Sequence, residues 1–246
     1  KDYNACCVYV GNSSTVTIGT GTVLDAEHTS GAFIWGDATN GKKPTLNVHG
    51  TIRSKYYAIS GNGTDTSGTT INIYDGADIS ASDCTAIYHP QAGTLNMYGG
   101  SITGLQGIQL CSGEAMVGSN ITFTGGTITA IGQDERASKT DDGEIPDGAA
   151  ISVINRNYPG GAPSITINGG SFSSKYSEAV LAYTWSRNSA SEWTEAKDKI
   201  TIQNGIYSSD VSDYCAEGYT AVANTDPATN TTYPFMIGEA GENPAE

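Results

Sequence analysis

Apolar and polar residues alternate with a period of two over short runs, and the runs recur along the chain. Seven segments share the pattern apolar-x-apolar-x-x-Gly-x-apolar, usually closing on Ser or Thr. They run from Val16 to Leu24, Leu46 to Arg53, Ile71 to Ser80, Leu95 to Thr103, Ile121 to Thr129, Ile165 to Ser173 and Ile200 to Ser208. The second copy is one residue short and the third one residue long. Start-to-start spacings are 30, 25, 24, 26, 44 and 35 residues. Between copies a small residue precedes a large apolar one: Ala32-Phe33, Ala58-Ile59, Ala86-Ile87, Gly107-Ile108, Ala150-Ile151 and Ala179-Val180. Each unit therefore carries three short strand-like pieces and no stretch with a helical period.

One unit cannot bury its apolar face alone, so the copies must stack on one another. Parallel strands usually need helical crossovers, and these connections are too poor in helix formers to supply them. Winding the chain into coils solves the problem, because each strand then pairs with its equivalent about 4.8 Å away. The expected fold is all-β, a single-stranded right-handed parallel β-helix (solenoid) of about seven coils with a short C-terminal cap. Val16, Leu46, Ile71, Leu95, Ile121, Ile165 and Ile200 would form one inward column. Ile18, Val48, Ile73, Met97, Phe123, Ile167 and Ile202 would form a second. The repeated Gly would turn the corner between two strand pieces, where a positive φ meets no Cβ clash.

The β-helix with its N-terminal cap is expected over 1–208, with loop insertions at 132–148 and 185–199. A capping segment should follow over 209–238, and 239–246 reads as linker or tail. Asp210 is placed to cap a short helix running through Ala216 and ended by Gly218. The Trp185–Lys199 insertion is a second place for a short helix.

The turns of type GG-[ST]-[IF]-[TS] resemble those of the pectate-lyase-like right-handed β-helix superfamily. More narrowly, the stretch Gly205-Ile-Tyr-Ser-Ser-Asp-Val-Ser-Asp-Tyr-Cys-Ala-Glu-Gly-Tyr219 resembles the end of a coil array in adhesin-like segments of large gut-bacterial surface proteins. The likeness spans roughly 14–222. It implies an exported bacterial cell-surface protein and no established reaction. The opening Lys1-Asp2-Tyr3-Asn4 reads as the start of a trimmed or mature chain, without a basic-then-apolar leader.

Charge narrows the partners. Lys and Arg total 12 against 26 Asp and Glu, a formal net charge of −14. Nucleic acid is excluded, since displacing its counterions needs a basic footprint. No apolar run approaches the ~20 residues that span a bilayer, so membrane insertion of this segment is not expected. Charged residues make up 15% of the chain, against about 25% in an average domain. A neutral surface rich in Ser and Thr fits an extracellular β-protein, secreted or on the cell surface. The unit is expected to be a monomer.

Five cysteines, Cys6, Cys7, Cys84, Cys111 and Cys215, are an odd number for a disulfide framework and lack zinc-site spacing. Most read as small buried hydrophobes, and a bond from the Cys6-Cys7 pair to Cys215 stays open.

Catalytic chemistry is weakly signalled. Polygalacturonase-like hydrolases on this fold use N-T-D, D-D, G-H-G and R-I-K segments. Of these the chain has the adjacent pair Asp141-Asp142, in the long loop, and neither G-H-G nor R-I-K occurs. The R-x-P-x-x-R pattern of pectate lyases is absent. Asp75, Asp78 and Asp83 could supply two facing carboxylates from neighbouring coils, although turn aspartates are the default reading of all three. In the acidic loop Asp141, Asp142, Glu144 and Asp147 could gather oxygens round Ca²⁺, without the order of an EF-hand, although a solvated charged insertion is the simpler reading. Otherwise no cofactor is expected. His28, His49 and His89 lack metal-spaced partners and read as surface or turn residues.

Aromatics say more. His49, Tyr74 and Tyr98 hold one outward position in three consecutive copies, so their rings should form a ladder, with Asn72 and Asn96 beside it. Such a ladder stabilises a sheet by itself, and flat rings also suit the C–H faces of sugars. Trp185 and Trp193 in the last insertion are a second candidate surface. The leading expectation is a noncatalytic adhesion-like module that binds a glycan or a host or cell-surface protein. The alternatives are a polysaccharide lyase or glycoside hydrolase on the same fold, and a passive stalk.

Overall fold

The computed structural model describes residues 5–36, 40–61, 68–111, 120–137, 140, 143–156, 162–186, 189–192 and 199–241. Its strands follow one another in repeated rounds. The first round is β1 (Cys6–Gly11), β2 (Thr15–Ile18) and β3 (Val23–Ala26), and the next is β4 (Ser30–Trp35), β5 (Thr45–Val48) and β6 (Thr51–Ser54). Then come β7 (Ile59–Ser60), β8 (Thr69–Ile73) and β9 (Asp78–Ala81), followed by β10 (Ile87–His89), β11 (Gly93–Met97) and β12 (Ser101–Gly104). After β13 (Ile108–Leu110), β14 (Asn120–Phe123), β15 (Thr127–Ala130) and β16 (Ile151–Asn155), two pieces merge into the long β17 (Ser164–Ser174). The chain closes with β18 (Val180–Ser186), β19 (Ser189–Glu192), β20 (Ile200–Tyr207), β21 (Tyr219–Ala223) and β22 (Phe235–Glu239).

Each strand through β13 pairs in parallel with its equivalent one round later. One sheet has the order β1-β4-β7-β10-β13-β16-β18-β19. In the other, the runs β2-β5-β8-β11-β14 and β3-β6-β9-β12-β15 join through β17. This all-β, parallel path is that of a solenoid, and the described residues hold one named helical turn, a 3₁₀ turn at Ser212–Tyr214. No helix among them is long and apolar enough to cross a membrane.

The registers reproduce both inward columns residue by residue. A third column runs Leu24, Ile52, Ile79, Ile102, Ile128, Phe172, Tyr207. Phe123 meets Phe172 edge-on at 6.0 Å, and Phe172 stacks on Tyr207 at 5.2 Å. At the far end the antiparallel strand β22 pairs with β20 and with β21.

Two glycines show what the corners require. Gly100 has φ +82°, and a Cβ there would lie 2.8 Å from the Ala77 carbonyl oxygen. Gly50, in the short second copy, needs its missing side chain for close approach instead: a Cβ would meet the Gly19 oxygen at 2.4 Å.

Several local expectations change. Ala32, not Phe33, aligns with Ile59, so the small-large pattern slips by one residue in β4. A one-residue slip reverses the face, and Phe33 lies outward, stacked on Tyr9 at 5.9 Å. His89 is no surface or turn histidine: it is fully buried, because β10 gives it the inward parity of Leu110. The helix expected from Asp210 to Ala216 shrinks to the 3₁₀ turn, since Cys215 bridges Ile202 and Ala216 N–H donates to the Ile202 carbonyl at 2.8 Å. Pairing with the edge of β20 outcompetes a fourth helical residue. The 185–199 insertion opens as an antiparallel pairing of β18 with β19 and ends on a helical Lys199, while 187–188 and 193–198, where the short helix is expected to run, lie outside the described residues. All five cysteines are free thiols, with Cys111 buried and Cys7 exposed.

Candidate functional site

The outer face of the run β2-β5-β8-β11-β14-β17 carries two polar columns. One is Thr15, Thr45, Thr70, Thr94, Asn120 and Ser164. The other is Thr17, Asn47, Asn72, Asn96, Thr122, Thr166 and Thr201. No charged residue stands in either column, although the chain as a whole carries −14. Every side chain in the two columns can form hydrogen bonds.

The asparagines are linked. Asn96 Nδ2 donates to Asn72 Oδ1 at 2.9 Å, and Asn72 Nδ2 to Asn47 Oδ1 at 2.9 Å. A longer contact of 3.5 Å takes Asn47 Nδ2 to Thr17 Oγ1. Beside this amide ladder the ring ladder forms as the sequence pattern implies. His49 and Tyr74 stack at 4.2 Å and 4°, and Tyr74 and Tyr98 at 5.2 Å and 26°. Strand pairing holds the rungs in step, since Tyr74 N–H donates to the Val48 carbonyl and Tyr98 N–H to the Ile73 carbonyl. Stacking turns the ring faces toward one another, so the inner faces are occupied. Among the described residues no further ring continues the stack beyond Tyr98 or beyond His49. Tyr98 is 48% exposed.

A second cluster covers the outer face of the eight-stranded sheet. Tyr57, Tyr88, Cys111, Ile145, Ile154, Leu181, Tyr183 and Trp185 pack together there. Trp185 is buried, donates from Nε1 to the Arg136 carbonyl at 2.9 Å, and lies under the Arg156 guanidinium. Glu144 and Asp147 are buried as well. Glu144 Oε1 accepts from Thr85 N–H, Thr85 Oγ1–H and Gln106 Nε2, and its Oε2 from the Tyr57 hydroxyl. Asp147 accepts from Ala149 N–H at 3.0 Å and from the Tyr183 hydroxyl at 2.8 Å. Burial pushes its carboxyl up to about 6. Gln109 pairs with both backbone groups of Ile145, as a strand would.

These carboxylates fasten the insertion to the sheet through neutral donors. Asp141, Asp142 and Trp193 lie outside the described residues. Among the described residues no group of three or more His, Cys, Asp or Glu could hold a metal ion. Asp78 contacts Arg53 at 3.4 Å and Asp83 contacts Lys55 at 3.9 Å, both on an exposed surface. Asp75 is an exposed turn residue.

Sequence reading missed Thr85, Gln106, Gln109, Tyr57 and Tyr183 as partners of the acidic loop. The available signal was parity: Tyr88, Gln109 and Tyr183 lie on outward positions of their strands, where bulky residues imply a cover. Tyr9 and Trp35, exposed on the same sheet, were also missed. Comparison with known protein families, with curated proteins and with solved structures finds no match to this chain.

Proposed function

We propose that the chain is a noncatalytic, extracellular cell-surface module that binds neutral glycans on the face that carries the two uncharged polar columns. In this reading the solenoid is a right-handed β-helix of seven coils, the hand that parallel crossovers overwhelmingly take. The observation that carries the proposal is the pairing of two ladders: rings from His49 to Tyr98 beside amides from Asn47 to Asn96. A sugar offers apolar C–H patches flanked by hydroxyls, and a ring edge or face next to an amide matches both. Absence of charge in these columns favours neutral ligands, while the acidic remainder of the chain repels sialylated or uronic ones. The resemblance of the glycine turns to those of adhesin-like β-helices supports export and surface display. A rigid platform loses little entropy on binding, yet a shallow one binds weakly.

The test is a glycan array followed by titration of the best neutral ligand. Tyr74→Ala/Tyr98→Ala should abolish retention without unfolding the protein. Equal retention of the parent and the double variant overturns the assignment, and a parent that binds no glycan leaves the stalk as the better description.

A further inference from the structure

The two ladders end together, and they end asymmetrically. All the amides point one way, each Nδ2 toward the preceding round, so Asn96 Oδ1 is the terminal acceptor. Its neighbour in the next round does not donate to it: Thr122 Oγ1 bonds Asn120 Oδ1 instead, at 3.2 Å. Among the described residues no donor reaches Asn96 Oδ1. One step along, the ring column also stops. After Tyr98 the equivalent residue is Thr124, placed there by the Met97–Phe123 register. The Thr124 hydroxyl turns back to the Met97 carbonyl at 3.3 Å. Gly125 follows without a side chain, and a Cβ there would lie 2.6 Å from the Tyr98 carbonyl oxygen. An uncovered ring face therefore sits beside an acceptor without a donor, above a rung too small to fill the space.

We infer that the glycan contact is confined to this end of the ladder, where one neutral sugar residue stacks on Tyr98 as a fourth rung and donates a hydroxyl to Asn96 Oδ1. This rests on the glycan reading above and narrows it to one sugar, one ring face and one hydrogen bond. Alignment of the amide dipoles strengthens the terminal acceptor, because each bond polarises the next. The opposite end differs. Below His49 the column continues to Gly19, and the amide chain there finishes on the Thr17 hydroxyl, with its acceptor already used. Specificity follows from the geometry: the ligand must carry a flat C–H face with a hydroxyl at its edge, and a carboxylate at that edge is repelled by Asn96 Oδ1.

Titration of the parent and four variants with cellohexaose and mannohexaose, as neutral probes, separates the outcomes. Thr124→Tyr supplies the fourth ring from the protein itself and should weaken binding about tenfold or more while leaving the melting temperature unchanged or raised. Tyr98→Ala and Asn96→Leu should each weaken it by a similar factor. Tyr219→Ala, which removes an exposed ring in β21 away from the ladder, should change it by no more than about twofold. Binding by Thr124→Tyr equal to the parent's overturns this inference while the broader glycan reading stands. A parent that binds neither hexasaccharide nor any other neutral glycan overturns both. If Thr124→Tyr misfolds, the contrast between Asn96→Leu and Tyr219→Ala decides.

Discussion

The Tyr183 hydroxyl donates to Asp147 Oδ2 at 2.8 Å, and this bond ties β18 to a segment that precedes it by more than thirty residues. Asp147 is fully buried, and burial raises its carboxyl from 3.8 to about 6, with the Arg136 guanidinium opposing in part. A raised folded value means that the protonated carboxyl is the one folding favours. Its stabilising share is complete below about 3.8 and is lost as pH rises through about 6. Chemical denaturation at pH 5 and pH 7.5 should therefore show a decline toward neutrality of at most about 1.4 kcal/mol, the upper half of the full change. Asp147→Asn, which still accepts from Tyr183, should flatten that decline. An equal slope in the variant would mean that another group is responsible.

Phe123 is fully buried in a column otherwise built of Ile, Val and Met side chains, edge-on to Phe172. Phe123→Ala should cost about 3–5 kcal/mol, because neighbouring rounds cannot collapse into the space. Thr122→Ala, on the outer face of the same strand, should stay within about 0.5 kcal/mol. Denaturation of both variants checks the inward and outward assignments together.

Thiol reactivity should follow burial. Cys7 is exposed, whereas burial pushes the Cys111 thiol up to about 12 and the Cys215 thiol up to about 11. Alkylation at pH 8 followed by peptide mass spectrometry should label Cys7 first and Cys111 only after denaturation. Early labelling of Cys111 would show that the cluster around Tyr183 opens readily.

The protein should not cleave polygalacturonate, with or without Ca²⁺. Its sequence lacks the R-x-P-x-x-R, G-H-G and R-I-K segments, and the carboxylates Glu144 and Asp147 are enclosed and hydrogen-bonded to neutral donors. Release of unsaturated or reducing ends that disappears on mutation of one carboxylate would overturn this expectation.

The repeat made the interior readable because register in a half-buried parallel sheet is set by side-chain parity. Leu95 could sit in only one column, and His49, Tyr74 and Tyr98 inherited their alignment from it. What escaped was set by contacts distant in sequence. Glu144 looked like a solvated loop acid because its partners Thr85, Gln106 and Tyr57 lie far back in the chain. Phe33 misled because its small-large signal is one residue out of step with the pairing. The 3₁₀ turn at Ser212–Tyr214 replaced a helix because the edge of β20 offered Ala216 a partner that local propensity does not register.

Spacing between repeats varies from 24 to 44 residues, yet Ile121 and Ile165 still face each other in the same pairing as Leu95 and Ile121. Growth at a corner and continuity of the columns are thus independent. A lineage of such chains can lengthen, shorten or exchange its protruding segments by insertion and deletion without renegotiating the interior. Foreign peptides can be grafted at the same corners, and diversification of the surface proceeds on a frame that does not have to change with it.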